Sequence, residues 1–408
     1  MSHSMQIGSF QGMKALNKAT ILNVIREHGP ISRAEIAKLT TLTPPTVTNI
    51  VGELLESKII VEKELGESTG GRKPILLELN VKAFYVIGVY GGANKIKGVV
   101  ATLDGTVIEE TEEAVAKGIT VEEFLDLLTK AVRDLIEKTG KNRSSYLGIG
   151  VGMHGLVDPE KGISIFAPNL NMRNIPIKSH LEQIFQMNVE VENDVRALAL
   201  GESWFGQGKD ISNFVCVNVG TGIGAGIIID HKLYHGTSFT AGEVGHTTID
   251  INGPKCSCGN YGCLEALAAA PAIVSRMRQH IRLGKETILL DWLENIDELT
   301  SEMIYRAALE EDVLSKEVLA DTGRYLGIGI ANLINTFNPS KIILSGGVLG
   351  AGNFILKTLK ETVERRALST SAEAVSIVVS NLGKNAQAIG AFTLILEKLF
   401  TPSGVNKV

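Results

Sequence analysis

Within residues 242–268, GEVGHTTIDINGPKCSCGNYGCLEALA, one histidine and three cysteines crowd together: His246, Cys256, Cys258 and Cys263. Three thiolates and one imidazole are the donor set of a closed tetrahedral zinc, and Gly253, Gly259 and Gly262 let the chain turn back around an ion. The competing reading is a disulfide pair plus a buried thiol. A chain of 408 residues with four cysteines and no export signal reads as a reduced, cytoplasmic protein, where clustered Cys and His usually mark metal. Four protein donors leave no open coordination position, so Zn2+ here is expected to be structural and to fix the loop that carries it.

The length exceeds what one growing core supports, so two or three domains are expected. No uninterrupted apolar run reaches the about 18 residues that a membrane-spanning helix needs, and the polar Met1-Ser2-His3-Ser4 start leads into no signal sequence, so no membrane insertion is expected. Residues 1–80 hold 9 Lys+Arg against 8 Asp+Glu and the remainder 31 against 37. Bulk charge therefore argues for no nucleic-acid role, and such a role must come from a motif.

The first 80 residues carry one. Met13 to His28 places Leu16, Ile21, Leu22, Val24 and Ile25 at helical spacing, and Gly29-Pro30 stops the run. Ser32 and Glu35 form a capping box for a short helix through Ile36, Ala37 and Leu39. Thr43 can cap a third helix with Pro44 at its first position, and Val47, Ile50, Val51, Leu54 and Leu55 make its inner face. Thr46, Thr48 and Asn49 stay outside, as suits a recognition helix that reads base edges in a major groove. Ile59 to Val61 and Ile75 to Leu79 predict two strands joined by GESTGGRKP, whose Arg72 and Lys73 can reach DNA backbone. This pattern is a winged helix-turn-helix over 1–80, as against a helical interaction module with a solvated basic turn.

From Tyr85 onward, glycine-rich strands alternate with helices. VIGVYGGANKIKGVVATLDG and FVCVNVGTGIGAGIIIDHKLYHG share one plan of two strands and a tight turn, which suggests two similar α/β lobes. We expect residues 81–194 with 386–399 in the first and 195–385, with the zinc site, in the second. VEVEN leads into Asn193-Asp194 at a strand end, where α/β proteins usually bind ligands. IILSGGVLG places Gly346 and Gly347 in a turn, and the last helix is expected over Ala386–Leu399.

Val219 to Ile227 (VGTGIGAGI), Gly236, Gly242 to His246 (GEVGH) and Cys256 to Glu265 (CSCGNYGCLE) together resemble the signature of the ROK family of sugar kinases and repressors. With the winged helix included, the resemblance covers the whole chain and extends to the family's xylose, glucose and N-acetylglucosamine repressors. It implies a two-lobed, actin-like, hexokinase-type fold, related to ribonuclease H, with sugar between the lobes. It also implies that Asn169, Asn193, Asp194, Glu243, His246 and Glu265 contact sugar hydroxyls. The types fit, since amides and carboxylates pair with vicinal hydroxyls and reject ligands that lack them. With one ring nitrogen on metal, His246 can offer the other to sugar.

Asp194 resembles the catalytic base of the family's kinases, whose first phosphate loop reads D-x-G-G-T. Aligning Gly92 with that motif puts Tyr90 at the aspartate and Asn94 near the threonine, which removes the carboxylate that helps organise magnesium. The run Gly220, Thr221, Gly222 and Gly224 keeps a glycine-rich second loop. His154 stands in GMHG where many relatives have proline. The reading is a sugar-responsive repressor: a homodimer or higher homo-oligomer on double-stranded operator DNA, released by a monosaccharide effector. An active sugar kinase with a DNA-binding head, or control by a sugar-transport protein partner, are its rivals.

Overall fold

The computed structural model describes residues 10–63 and 74–401. The chain divides into two compact units, one of residues 1–194 with 387–408 and one of Val195–Ala386.

Unit 1 begins with the head. Helices α1 (Phe10–His28), α2 (Arg33–Thr40) and α3 (Pro44–Glu56) stand against a small sheet of β1 (Ile31–Ser32), β2 (Ile60–Lys63) and β3 (Leu76–Leu79), in the order β1-β3-β2. The capping box forms: the Ser32 hydroxyl accepts from the Glu35 backbone, and the Glu35 carboxylate accepts from Ser32 N–H at 2.9 Å. Those bonds, led by the Ser32 hydroxyl, hold the Glu35 carboxyl below its usual range. Thr43 caps α3 with Pro44 in its first turn. Ile21, Leu22, Ile25, Ile36, Val47, Ile50, Val51, Leu54 and Leu77 are buried and form one apolar interior. Truncating a side chain such as Leu54 to alanine costs about 2–5 kcal/mol. Two expectations need correction, and one strand is an addition. Leu16 and Leu39 are exposed, because α1 and α2 turn those positions away from the interior, and β1 adds an edge strand too short to show periodicity.

The rest of unit 1 is built on β4 (Tyr85–Gly91), β5 (Lys95–Thr102), β6 (Val107–Ala114), β7 (Tyr146–Met153), a small antiparallel sheet of β8 (Leu156–Asp158), β9 (Ile163–Ala167) and β10 (Met172–Ile175), and then β11 (Val189–Asn193). The main sheet runs β11-β7-β4-β5-β6, its first three strands parallel and β4-β5-β6 antiparallel. Helix α4 (Val121–Thr139), opened by a Thr120/Glu123 capping box and closed by Gly140 in the left-handed region, buries Phe124, Leu128 and Val132 against one face. Helix α5 (Ile177–Phe185) adds Leu181 to the same core.

Unit 2 opens with α6 (Asp194–Phe205, from Val195) and repeats that sheet plan: β12 (Phe214–Val219), β13 (Ile223–Ile229), β14 (Lys232–Leu233), β15 (Lys341–Ser345) and β16 (Ser376–Val379), in the order β14-β13-β12-β15-β16. Strands β12, β15 and β16 are parallel, whereas β12-β13-β14 are antiparallel. Each unit is thus a three-stranded antiparallel meander plus two strands parallel to its first, the arrangement repeated in actin-like, hexokinase-type α/β proteins. The helix Val313–Phe337 buries Val318, Leu326, Ile330 and Ile334 in its core and ends at Asn338 in the left-handed region. Among the described residues no helix is long and apolar enough to cross a membrane.

Candidate effector site, metal cluster and nucleic-acid face

In unit 1, parallel register aligns three strand ends. Met153 pairs with Gly91 of β4 on one side and with Asn193 of β11 on the other, so Tyr90, His154 and Asp194 emerge from neighbouring C-terminal ends. Crevices outside such ends are where α/β sheets hold ligands. Asn193 and Asp194 are each 8 % exposed. The Asn193 amide donates to Gly155 O at 2.9 Å and to Asp194 Oδ1 at 3.2 Å, which fixes the carboxylate's orientation. Gly155 packs on Phe166 and Pro168 at the start of the turn Pro168–Leu170, which holds the exposed Asn169 nearby. His154 bonds Gly91 O through Nδ1 at 3.1 Å, a role for that residue which proline could not fill.

Tyr90 folds back over its own turn. A Cβ built on Gly92 would meet the Tyr90 ring and hydroxyl at 2.7 Å. Burial first, and the Asp194 carboxylate second, push the phenol well above its usual range. A neutral phenol thus fills the space over the first hairpin's glycine turn.

In unit 2 the corresponding turn, Gly220-Thr221-Gly222, is covered differently. Glu265, on α7 (Leu264–Ala268), accepts Ile223 N–H at 3.0 Å through one oxygen and the Ser257 hydroxyl at 3.4 Å through the other. One carboxylate therefore ties the hairpin to the cysteine loop, and a Cβ on Gly222 would meet it at 2.8 Å. The segment carrying Glu243 and His246 lies flat on β13. Gly242 N–Cα has φ +93°, its carbonyl accepts from Ala225 N–H at 2.8 Å, and a Cβ there would fall 1.8 Å from Ala225 O. Only glycine satisfies both the conformation and the approach. Glu243 is exposed and His246 half-buried. Gly346, with φ +101°, turns after β15 against Val219 O, and Gly347 follows it.

The ligand atoms of His246, Cys256, Cys258 and Cys263 all lie within 4.8 Å of one another. Cys258 Sγ stands 3.8 Å from Cys263 Sγ, and Cys256 Sγ 3.6 Å from His246 Nδ1. Donors at the corners of a tetrahedron around zinc, with Zn–S about 2.3 Å, are separated by roughly 3.8 Å, whereas a disulfide needs about 2.05 Å. All four cysteines are free, so the disulfide reading is overturned for these residues and a metal fits. A hydrogen bond from the Asn260 backbone holds the Cys258 thiol below its usual range, and burial pushes Cys263 up to about 12. The turn is closed by Cys256 N–H to Asn260 O at 2.7 Å and a bridge between Thr248 and Cys263.

Sequence reasoning passed over a neighbouring feature. Thr221, Ser275, Arg278, Gln279, Arg282 and Thr300 line a cavity of about 680 Å³ beside α8 (Ala270–Arg282). The basic run SRMRQHIR was its one visible sign, and that run also reads as a solvated helix face.

On the head, Thr48 and Asn49 are exposed on α3 and Thr46 half-exposed. Two hydroxyls are already engaged locally, Thr48 to Pro44 O at 2.9 Å and Thr46 with Thr43 at 2.8 Å, which leaves the Asn49 amide as the group that projects outward uncommitted among the described residues. Arg72 and Lys73 lie outside the described residues.

A fold of two repeated α/β units behind a winged helix-turn-helix defines a DNA-binding head on a sugar-kinase-type body. The chain belongs to the ROK family, whose model matches residues 86–398, and a winged helix-turn-helix DNA-binding model matches residues 18–61. It is 35% identical over 395 residues to the xylose repressor of Caldicellulosiruptor bescii, covering 97% of this chain and 99% of that one. It is 33% identical over 390 residues to the DNA-binding transcriptional dual regulator NagC of Escherichia coli, covering 96% and 94%. Among solved structures, a ROK family transcriptional regulator described as a homolog of the E. coli MLC protein superposes with a TM-score of 0.85 at 30% identity, over 95% of this chain and 97% of that one.

Proposed function

We propose that this chain is a sugar-responsive DNA-binding transcriptional repressor of a carbohydrate-utilisation operon. The observation that carries the reading is one continuous chain in which a winged helix-turn-helix precedes a ROK body, a combination shared over nearly full length with named repressors. In this reading residues 1–80 bind operator, with Thr46, Thr48, Asn49, Arg72 and Lys73 at the DNA. Residues 81–194 with 386–399, and 195–385, form the two lobes of the effector-binding body. The protein acts in the cytoplasm, as a dimer that presents two heads to a pseudo-palindromic site, and a sugar-transport protein is a further candidate partner.

The effector is a monosaccharide held by Asn169, Asn193, Asp194, Glu243, His246 and Glu265. Asp194, oriented by Asn193, accepts from a hydroxyl, and the exposed Asn169 amide can both donate and accept. His246, Cys256, Cys258 and Cys263 hold a structural Zn2+. The ion supplies a fixed positive centre that makes thiolates of the cysteines and orients the imidazole. Nδ1 of His246 faces the cluster, which leaves Nε2 for the sugar. Binding weakens operator affinity only insofar as sugar prefers the DNA-incompetent arrangement.

A kinase reading draws on Asp194 and on the glycine-rich turn Gly220–Gly222, which keeps the second loop of such enzymes. Against it stands the Tyr90 phenol over the first turn, in a place where phosphoryl transfer wants a carboxylate near magnesium. The deciding experiment measures binding of the full chain to an operator duplex selected from a random pool, with xylose, glucose and N-acetylglucosamine, alongside ATP-dependent phosphorylation of each sugar. Release by one sugar without turnover supports the repressor. Turnover abolished by Asp194→Asn overturns it. In the same assay Arg72→Ala is expected to lower the salt slope by about one, and Asn49→Ala to relax sequence preference.

A further inference from the structure

His154 is the first residue beyond β7, between the ends of β4 and β11, because Met153 is in register with Gly91 on one side and with Asn193 on the other. It is 8 % exposed. Its backbone N–H and its ring Nδ1 both reach Gly91 O, at 3.3 and 3.1 Å. A carbonyl oxygen only accepts, so Nδ1 carries the hydrogen. In the neutral ring that tautomer leaves Nε2 as a bare acceptor, and Nε2 is buried with no hydrogen-bond partner among the described residues.

Burying an acceptor without a donor is costly, and native proteins keep few such groups. Anchoring the chain to Gly91 does not require one, since an asparagine amide would place its N–H where Nδ1 stands and bring no second nitrogen. The surroundings supply a reason for it. The next residue, Gly155, gives its carbonyl to the Asn193 amide at 2.9 Å, and the same amide holds Asp194 Oδ1 at 3.2 Å. One carbonyl and one amide therefore connect His154 to the carboxylate expected to hold sugar, all within unit 1. Ring and carboxylate are both fixed by hydrogen bonds at the C-terminal ends of neighbouring parallel strands, where α/β sheets bind ligands.

We propose that His154 is a further contact of the effector site, its Nε2 accepting a hydrogen bond from a second sugar hydroxyl while Asp194 accepts from the first. The proposal rests on the effector-site reading above. Two fixed acceptors in one crevice make a chemical demand: the ligand must bring two hydroxyl hydrogens. A sugar whose hydroxyl at His154 is removed, methylated or exchanged for fluorine leaves the nitrogen unanswered, and a buried polar site rejects such a ligand. His154 thus sorts ligands by hydroxyl pattern.

The test titrates the full chain calorimetrically, without DNA, with D-xylose, glucose and N-acetylglucosamine, and then with analogues of the bound sugar in which each hydroxyl in turn is replaced by fluorine. His154→Asn keeps a donor for Gly91 O and deletes Nε2. It is expected to bind the sugar about tenfold more weakly than the parent while its melting temperature without sugar holds. One fluorine position that weakens binding to the parent is expected to cost the variant nothing further, because the partner of that hydroxyl is already gone. His154→Gln, whose amide oxygen reaches the place of Nε2, is expected to recover part of the affinity. Unchanged affinity and an unchanged fluorine pattern in His154→Asn overturn the proposal. Nitrogen NMR of isotope-labelled histidine in the parent gives a reading that depends on no variant's fold. An unprotonated Nε2 signal that moves on sugar addition supports the contact, and none that moves overturns it. If none of the sugars binds the parent, the effector-site reading itself fails and the contact falls with it, whereas sugar binding that is indifferent to His154 removes the contact alone.

Discussion

The two five-stranded sheets have the same order and the same pattern of parallel and antiparallel pairs, yet their hairpin turns meet opposite fates. In unit 1 the turn at Gly92 is roofed by the Tyr90 phenol, a neutral group from its own strand. In unit 2 the turn at Gly222 is held by the Glu265 carboxylate, which comes from 42 residues away and also grips the cysteine loop. The same backbone plan thus serves closure in one unit and tethering in the other, and what differs is the charge and origin of one side chain.

The largest test of the contrast is removal of the tether's support. Cys263→Ser is expected to abolish metal binding and the sugar response together, because structural zinc contributes on the order of 10 kcal/mol. Metal analysis with a melting curve checks this, and a variant retaining one equivalent of zinc with a normal response breaks the contrast. Asp194→Asn comes next. If the closed turn of unit 1 leaves Asp194 only a hydroxyl to hold, the variant weakens sugar-induced release about tenfold and no phosphorylation is there to lose, as titration of operator binding with sugar would read.

Alanine at the two turns sharpens the comparison. Gly222→Ala displaces a charged acceptor and strands the Ile223 N–H, costing about 1–3 kcal/mol, whereas Gly92→Ala pushes aside a ring edge and should cost less. Denaturant unfolding of both variants would show whether the order is reversed. The smallest effect is in alkali. The Tyr90 phenol is raised in the folded protein above the about 10 of the unfolded chain, so its contribution to stability is complete below about pH 10 and is lost as pH climbs toward the folded value. Tyr90→Phe is therefore expected to flatten the decline of stability above about pH 10, and an unchanged slope would contradict the burial of the phenol.

What could be read from the residues was the local and the clustered. Ser32 with Glu35 and Thr43 with Pro44 announce helix starts because caps are made within four residues, and the strand repeats showed through their glycines. The cysteine and histidine spacing brought four donors within reach, as the geometry bears out. The two-residue edge strand Ile31–Ser32 and the cavity beside α8 were not legible, since both are made by partners distant in sequence. The exposure of Leu16 and Leu39 was hidden for a related reason. Helical periodicity says which residues share a face, and only packing says where that face ends.

Unit 2 is a continuous stretch of chain, whereas unit 1 is completed by residues that follow it in sequence, from Gln387 onward. During synthesis the ribosome therefore finishes the whole second unit while the sheet of the first still shows bare backbone at Gly88 and Gly150, awaiting Ala388 and Ala391.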